Sequence, residues 1–152
     1  MRGKAYTFSR RNIPPLVGHV GWGFELGDGT YFFGATEGKY FLPYISPRDD
    51  NGAWWGKESS FMAMADQMHK IWQYDLYKEH LVDDAHPAEA QQMGKAAKTW
   101  GYTVVLGNNC MDHVYKIIHA YGVPPRNLQW PQTNWAPNVW FDNNPGAAYP
   151  LR

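Results

Sequence analysis

Apolar and polar positions along the chain fall into segments of different period. Val17 to Leu26 carries β-branched and aromatic residues and reads as a strand. Gly27-Asp28-Gly29 follows as a turn, because Asp-Gly supplies the positive φ angles of a tight hairpin, and Thr30 to Ala35 is the returning strand. Pro43 to Gly56 reads as a loop, with Pro47, Asp49, Asp50, Asn51 and Gly52 as turn formers. From Glu58 to His80 the period lengthens. Phe61, Met64, Met68, Ile71 or Trp72, and Leu76 recur every three to four residues, which predicts one long amphipathic helix.

Pro87 suits the first position of a further helix, running to about Trp100 and ended by Gly101. Tyr102 to Leu106 is a short apolar strand, and Gly107-Asn108-Asn109 turns the chain. A helix over Cys110 to Tyr121 presents Val114, Ile117, Ile118 and Tyr121 on one face, with Gly122 and Pro124 as its stop. The tail from Pro125 to Arg152 reads as an ordered strap anchored by Trp130, Trp135, Trp140 and Phe141. No internal repeat or low-complexity segment interrupts this order.

The 152 residues suit one domain, 1–152, with the Pro/Trp-rich strap at its C-terminal end. The 8 Trp, 10 Tyr and 7 Phe, beside 15 Gly and 11 Pro, favour strands, turns and ordered loops over a helical bundle. Fourteen Lys+Arg balance fourteen Asp+Glu, so no charge excess recruits nucleic acid or an anionic membrane. No segment approaches the ~20 apolar residues of a membrane span. Met1 to Ser9 lacks the apolar run of a signal peptide. The expectation is a soluble protein, cytoplasmic or exported without a cleavable signal.

The single cysteine, Cys110, excludes an internal disulfide and fits a reducing compartment. A lone cysteine is most often a small buried hydrophobe. Here it follows a polar Gly-Asn-Asn turn and opens a helix, where unpaired N–H groups and the positive end of the macrodipole favour a thiolate. Asn108 or Asn109 can cap that helix, and its free N–H groups can receive a developing oxyanion. Of the six histidines, His19 stands out as a base because it begins a strand with flanking glycines. His69 and His80 fall on the long helix and read as solvated or capping residues. His86 lies in a linker beside Asp83 and Asp84. His113, one turn after Cys110, could make a local Cys–His or metal pair. One Cys with scattered His is no standard ligand set, so neither a metal nor another cofactor is expected.

The segment His19-Val20-Gly21-Trp22-Gly23-Phe24-Glu25-Leu26-Gly27-Asp28-Gly29 resembles the His-bearing hairpin of NlpC/P60-type papain-fold hydrolases. Asn109-Cys110, opening a helix after a strand, resembles the nucleophile segment of their circularly permuted, lecithin:retinol acyltransferase-like branch, in which the His precedes the Cys. The likeness covers about residues 17–37 and 102–121. It implies an α+β papain-like fold, with an antiparallel sheet packed against helices and the Cys helix lying on the sheet. It also implies a Cys110 nucleophile with His19 as base. The family's third polar residue falls near Gly34, which has no side chain. Glu37, just beyond, can take that role or be a surface loop residue. Trp22 and Tyr31 are candidates for the substrate cleft.

The implied activity is a thiol hydrolase, a cysteine peptidase or amidase acting on an amide or peptide bond. Its substrate would be a peptide or cell-wall-derived. A delivered toxin or effector of this kind would also have an inhibitor or immunity protein as partner. Deamidation and lipid acyl transfer or thioester hydrolysis stand as alternatives within that chemistry. From a different class comes a non-catalytic carbohydrate- or peptide-binding module, with Trp54-Trp55 and the Trp130, Trp135, Trp140 series as a stacking platform.

Overall fold

The computed structural model describes residues 1–12, 18–39, 42–104 and 107–152. Its architecture is α+β, with a six-stranded antiparallel sheet flanked by helices. In chain order the strands are β1 (Gly3–Arg10), β2 (His19–Glu25), β3 (Tyr31–Thr36), β4 (Tyr44–Ile45), β5 (Ala53–Glu58), β6 (Leu76–Val82), β7 (Tyr102–Thr103) and β8 (Tyr149–Pro150). The helices are α1 (Phe61–Asp66), α2 (Pro87–Ala96), α3 (Cys110–Tyr121) and α4 (Pro137–Asn143). The main sheet runs β5-β3-β2-β1-β6-β8, and β4 pairs with β7 apart from it.

The predicted hairpin is the middle of this sheet, with Trp22 opposite Gly34 and Phe24 opposite Phe32. Val17, expected to begin its first strand, lies outside the described residues, as do Val105 and Leu106 of the expected 102–106 strand. Strand β2 is covered on both faces. Val20, Trp22 and Phe24 point into the larger core with α3 residues Val114, Ile117 and Tyr121. Between His19 and Glu25, Gly21 and Gly23 leave the middle of the other face without side chains. A Cβ on Gly23 would lie 3.0 Å from the Met64 sulfur, and one on Gly21 3.1 Å from the Met68 methyl, so two methionines rest on bare backbone. Tyr6, Phe8, Phe33 and Tyr74 complete that second core.

Several expectations are corrected. Residues 53–56, read as the end of a loop, and Glu58, read as a helix start, belong to edge strand β5. The long helix is broken. Alpha-helical turns over Phe61–Asp66 widen into a π-helical stretch, Gln67–Ile71, and Gln73 then reverses the chain at φ 64°. Residues 76–82 are strand β6, paired antiparallel with β1, so His80 lies in a sheet and not on a helix. Strand β1 itself carries no expectation from the pattern. The helix beginning at Pro87 is α2, which passes into a 3₁₀ turn over Ala97–Thr99.

The strap is ordered, but only part of it anchors. Trp140 and Phe141 are wholly buried, whereas Trp130 and Trp135 stay exposed at 51% and 77%. Lys78 on β6 fastens it from below, donating to the carbonyls of Phe141 at 2.6 Å and Asn144 at 2.7 Å. No helix among the described residues is long and apolar enough to cross a membrane.

Candidate functional site

Two separately built elements meet at one end of the sheet. The first is the N-terminus of α3. Asn109 is its N-cap: its side-chain oxygen accepts from the Met111 and Asp112 amides, and the Asp112 carboxylate accepts from the Asn109 N–H at 2.9 Å. This capping box fixes the first turn and does not use the Cys110 amide. Asn108 is not the cap. It donates to the Trp100 carbonyl and pairs with His113 Nε2 at 2.8 Å. The other ring nitrogen of His113 meets the Thr36 hydroxyl at 2.7 Å. His113 is therefore a buried tie between α3 and β3 and does not pair with Cys110.

The second element is the start of β2. His19 sits opposite Arg10 across the β1–β2 ladder, and both are reached by Glu37, which follows β3. Glu37 Oε2 lies 2.9 Å from His19 Nε2 and 2.8 Å from an Arg10 guanidinium nitrogen. The approach to His19 is close but oblique, so charge outweighs directional hydrogen bonding there. The other carboxylate oxygen accepts from Trp54 Nε1 at 2.9 Å. Trp54 is stacked on Trp72 at 3.9 Å, and Arg10 is held in turn by the Trp72 carbonyl at 2.8 Å. Glu37 is thus a fixed, charged residue behind the imidazole and not a free loop side chain.

Cys110 is the other partner of the imidazole, and the two side chains are hydrogen-bonded. Burial opposes charge on each of them. For His19 the Cys110 thiolate and the Glu37 carboxylate outweigh that penalty and raise its pKa to about 10. For Cys110 the imidazolium outweighs burial and lowers the thiol pKa, helped by the Val20 amide and the Tyr102 hydroxyl. Burial likewise opposes the Glu37 carboxylate, but His19 and Arg10 hold its pKa near about 2. The charges point to a thiolate–imidazolium pair at neutral pH.

Tyr102, from β7, is a residue the sequence reading did not single out as a site residue. Its hydroxyl bonds the Cys110 sulfur and receives the Cys110 backbone N–H, and burial above all raises its pKa well above the usual phenol value. Strand β7 is only two residues long and its neighbours are loop, so no periodic signal marked this tyrosine. Arg10 was not singled out either, and Trp54 was named only as part of a stacking platform. Their roles come from pairings between strands and loops far apart in sequence.

Cys110 and His19 open onto a cleft of about 820 Å³, lined also by Tyr102, Asn109 and the strap segment from Pro131 to Trp135. Trp22 and Tyr31 are not part of it. Trp22 is a core residue at 1% exposure, stacked on Phe24. Tyr31, at the far end of the hairpin, packs against Tyr6 and Phe61. Nor do the tryptophans form one platform: Trp54 backs Glu37, Trp55 lies beneath Lys95, and Trp140 is buried. Among the described residues no group of three or more His, Cys, Asp or Glu is placed to hold a metal ion. Compared with known protein families, curated proteins and solved structures, the chain matches none.

Proposed function

We propose that this protein is a thiol hydrolase that cleaves an amide or peptide bond through a Cys110 acyl-enzyme. The observation that carries the reading is the chain of contacts Cys110–His19–Glu37, with an acidified thiol opening onto a cleft. The order of the parts adds support, since a His-bearing hairpin precedes a Cys at the N-terminus of a helix packed on the sheet. That is the arrangement of the permuted papain-like hydrolases, whose fold we extend to this chain as part of the same proposal.

The chemistry follows from the geometry. The Cys110 thiolate attacks the carbonyl carbon, forming a C–S bond and moving an electron pair onto the carbonyl oxygen. The Tyr102 hydroxyl, which bonds the sulfur, and the neighbouring Cys110 amide stabilise that oxyanion. The imidazolium gives its proton to the leaving nitrogen as the C–N bond breaks. Water then adds to the thioester, His19 takes its proton, and the C–S bond breaks to release the acid. Glu37 stays ionised and orients the ring throughout. An amine in place of water would make the same site a transferase.

The test is alkylation of Cys110 by iodoacetamide between pH 4 and 9, read by intact mass. Rapid alkylation at pH 5–6 that is lost in Cys110→Ala and pushed to higher pH in His19→Ala is the expected result. Inertness of native Cys110 below pH 7 overturns the reading, because an unperturbed thiol, pKa about 8.5, is protonated there.

A further inference from the structure

The walls of the cleft carry information about what the thiolate would act on. Besides Cys110, His19 and Tyr102, the only ionisable group among its described lining residues is Asp112. That carboxylate is 7% exposed and committed to the Asn109 amide of the capping box. No lysine or arginine lines the described wall. A substrate carboxylate would leave water for a site with no cation except the imidazolium, which Cys110 and Glu37 already neutralise. A substrate ammonium would find no free anion. Either loses hydration without a partner.

The strap wall has a different character. Trp135 stands 77% exposed over the cleft, five residues before the wholly buried Trp140. Its backbone is not loose. Asn134 and Ala136 on either side are buried, and Asn134 is tied to Asn143 at 3.0 Å and to the Trp130 carbonyl at 3.3 Å. A large indole held out on an anchored backbone is an apolar binding surface whose backbone is already ordered. Val104 and Pro131 continue it as an apolar floor. Gln132, exposed beside them, leans over Gly107, where an added Cβ would come within 3.0 Å of the carboxamide nitrogen. That carboxamide offers a donor and an acceptor to an extended backbone, which suits a peptide better than a hydrocarbon chain.

We infer that the cleft selects a peptide with an uncharged apolar side chain next to the scissile residue, seated on Trp135. The inference rests on the proposed Cys110 chemistry and adds its substrate class. The aromatic ring is the best occupant, since it stacks on the indole. An acidic or basic residue in that place is rejected by the absence of a counter-charge.

The experiment uses N-acetyl-X-Gly chloromethyl ketones, with X as Phe, Leu, Asp or Lys, and reads Cys110 labelling by intact mass. Iodoacetamide, which needs no subsite, is the control in every variant. Labelling by the Phe and Leu reagents is expected to exceed that by the Asp and Lys reagents at least about tenfold, in line with discrimination by an apolar subsite. In Trp135→Ala that preference should shrink, with the Phe reagent losing most, while the iodoacetamide rate holds. Equal labelling by all four reagents with a normal iodoacetamide rate overturns the selectivity and leaves the thiol hydrolase standing. Trp135→Ala retaining the full preference does the same. Inertness to iodoacetamide overturns both.

Discussion

Replacing Glu37 by Gln removes one charge and little else. The glutamine keeps the volume and an oxygen for Trp54 Nε1, now 2.9 Å from the carboxylate. What goes is the anion 2.9 Å from His19 Nε2. Unit charges with centres ~4 Å apart interact by about 4 kcal/mol at an effective dielectric of 20. Cleft water reduces this, and a carboxylate–cation contact of this kind moves a pKa by roughly 1–3 units. Arg10, 2.8 Å from the same carboxylate, remains in the variant as an uncompensated cation and pushes the same way. The sign is fixed: the imidazolium weakens, and the thiolate that depends on it weakens too. The acid limb of Cys110 alkylation should therefore rise by about 1–3 pH units, with at least a tenfold loss of rate at pH 5–6. Arg10→Met supplies the opposing arm. Without the arginine, Glu37 acts on His19 unopposed, so the imidazolium and the thiolate both strengthen and the acid limb moves down by roughly half a unit or more. A role for these residues in packing alone would move both variants alike. Shifts of the same sign, or none, in the iodoacetamide pH profile would refute the electrostatic argument.

Tyr102→Phe removes the hydroxyl proposed to receive the oxyanion and should lower kcat about 10²-fold with little change in KM, measured by steady-state hydrolysis. His80 and His113 are buried as neutral rings, with pKa values lowered by burial, and by the charge of Lys78 or Lys116, to about 4 and about 3. Their depressed values make stability full above the unfolded pKa of about 6.5 and lost as pH falls, by ~3 kcal/mol each near pH 4. Tm should drop between pH 7 and pH 4, and His113→Gln should flatten that slope. His19 has the opposite sign: its raised value gives stability below about 6.5 that is lost as pH rises through about 10. Lys78→Met leaves the Phe141 and Asn144 carbonyls without their buried donor. It should cost about 1–3 kcal/mol per orphaned group and speed proteolytic cleavage in the strap.

Fold legibility tracked how far each strand obeyed the ordinary inside–outside rule. The β2–β3 hairpin obeyed it: Val20, Trp22 and Phe24 alternate with glycines, and Asp28-Gly29 makes the turn, so its position was plain from sequence. Strand β6 inverts the rule. Lys78, His80 and Val82 point inward while Leu81 stands 70% exposed. A buried lysine is tolerable only because three backbone carbonyls of the strap surround it, and a buried His80 only because Thr7 on β1 meets its ring at 3.1 Å. Those partners lie 63 to 73 residues away in sequence, so the local pattern favoured continuing the helix. The helix itself hid its end. Phe61, Met64, Met68 and Trp72 keep a helical spacing across the π-helical stretch, and the reversal falls on Gln73, a residue that carries no turn signal.

The same distinction separates the parts of the site. Cys110 and Asn109 were readable because a cap and a helix start are local events, set by residues three apart. His19 was readable from its strand setting and the resemblance of its hairpin. The third position was readable only as an alternative, Glu37 as the orienting acid or as a surface loop residue, because register decides it. Gly34 faces Trp22 across the ladder, and a Cβ there would meet the Trp54 carbonyl oxygen at 2.2 Å. No orienting side chain can stand at that point of β3. The acid arrives instead three residues later, where the backbone leaves the sheet, Glu37 N–H donating to the Gly52 carbonyl at 3.2 Å. From there the carboxylate reaches back to His19 and finds Arg10 beside it, since Arg10 and His19 are cross-strand partners. An acid reaching in from outside the sheet needs something to hold it, and Arg10 with Trp54 does so. The arginine that fixes Glu37 also weakens its pull on the imidazolium, which links the precision of the site to the acidity of Cys110. This is why substitutions at Glu37 and Arg10 should move the pH profile in opposite directions.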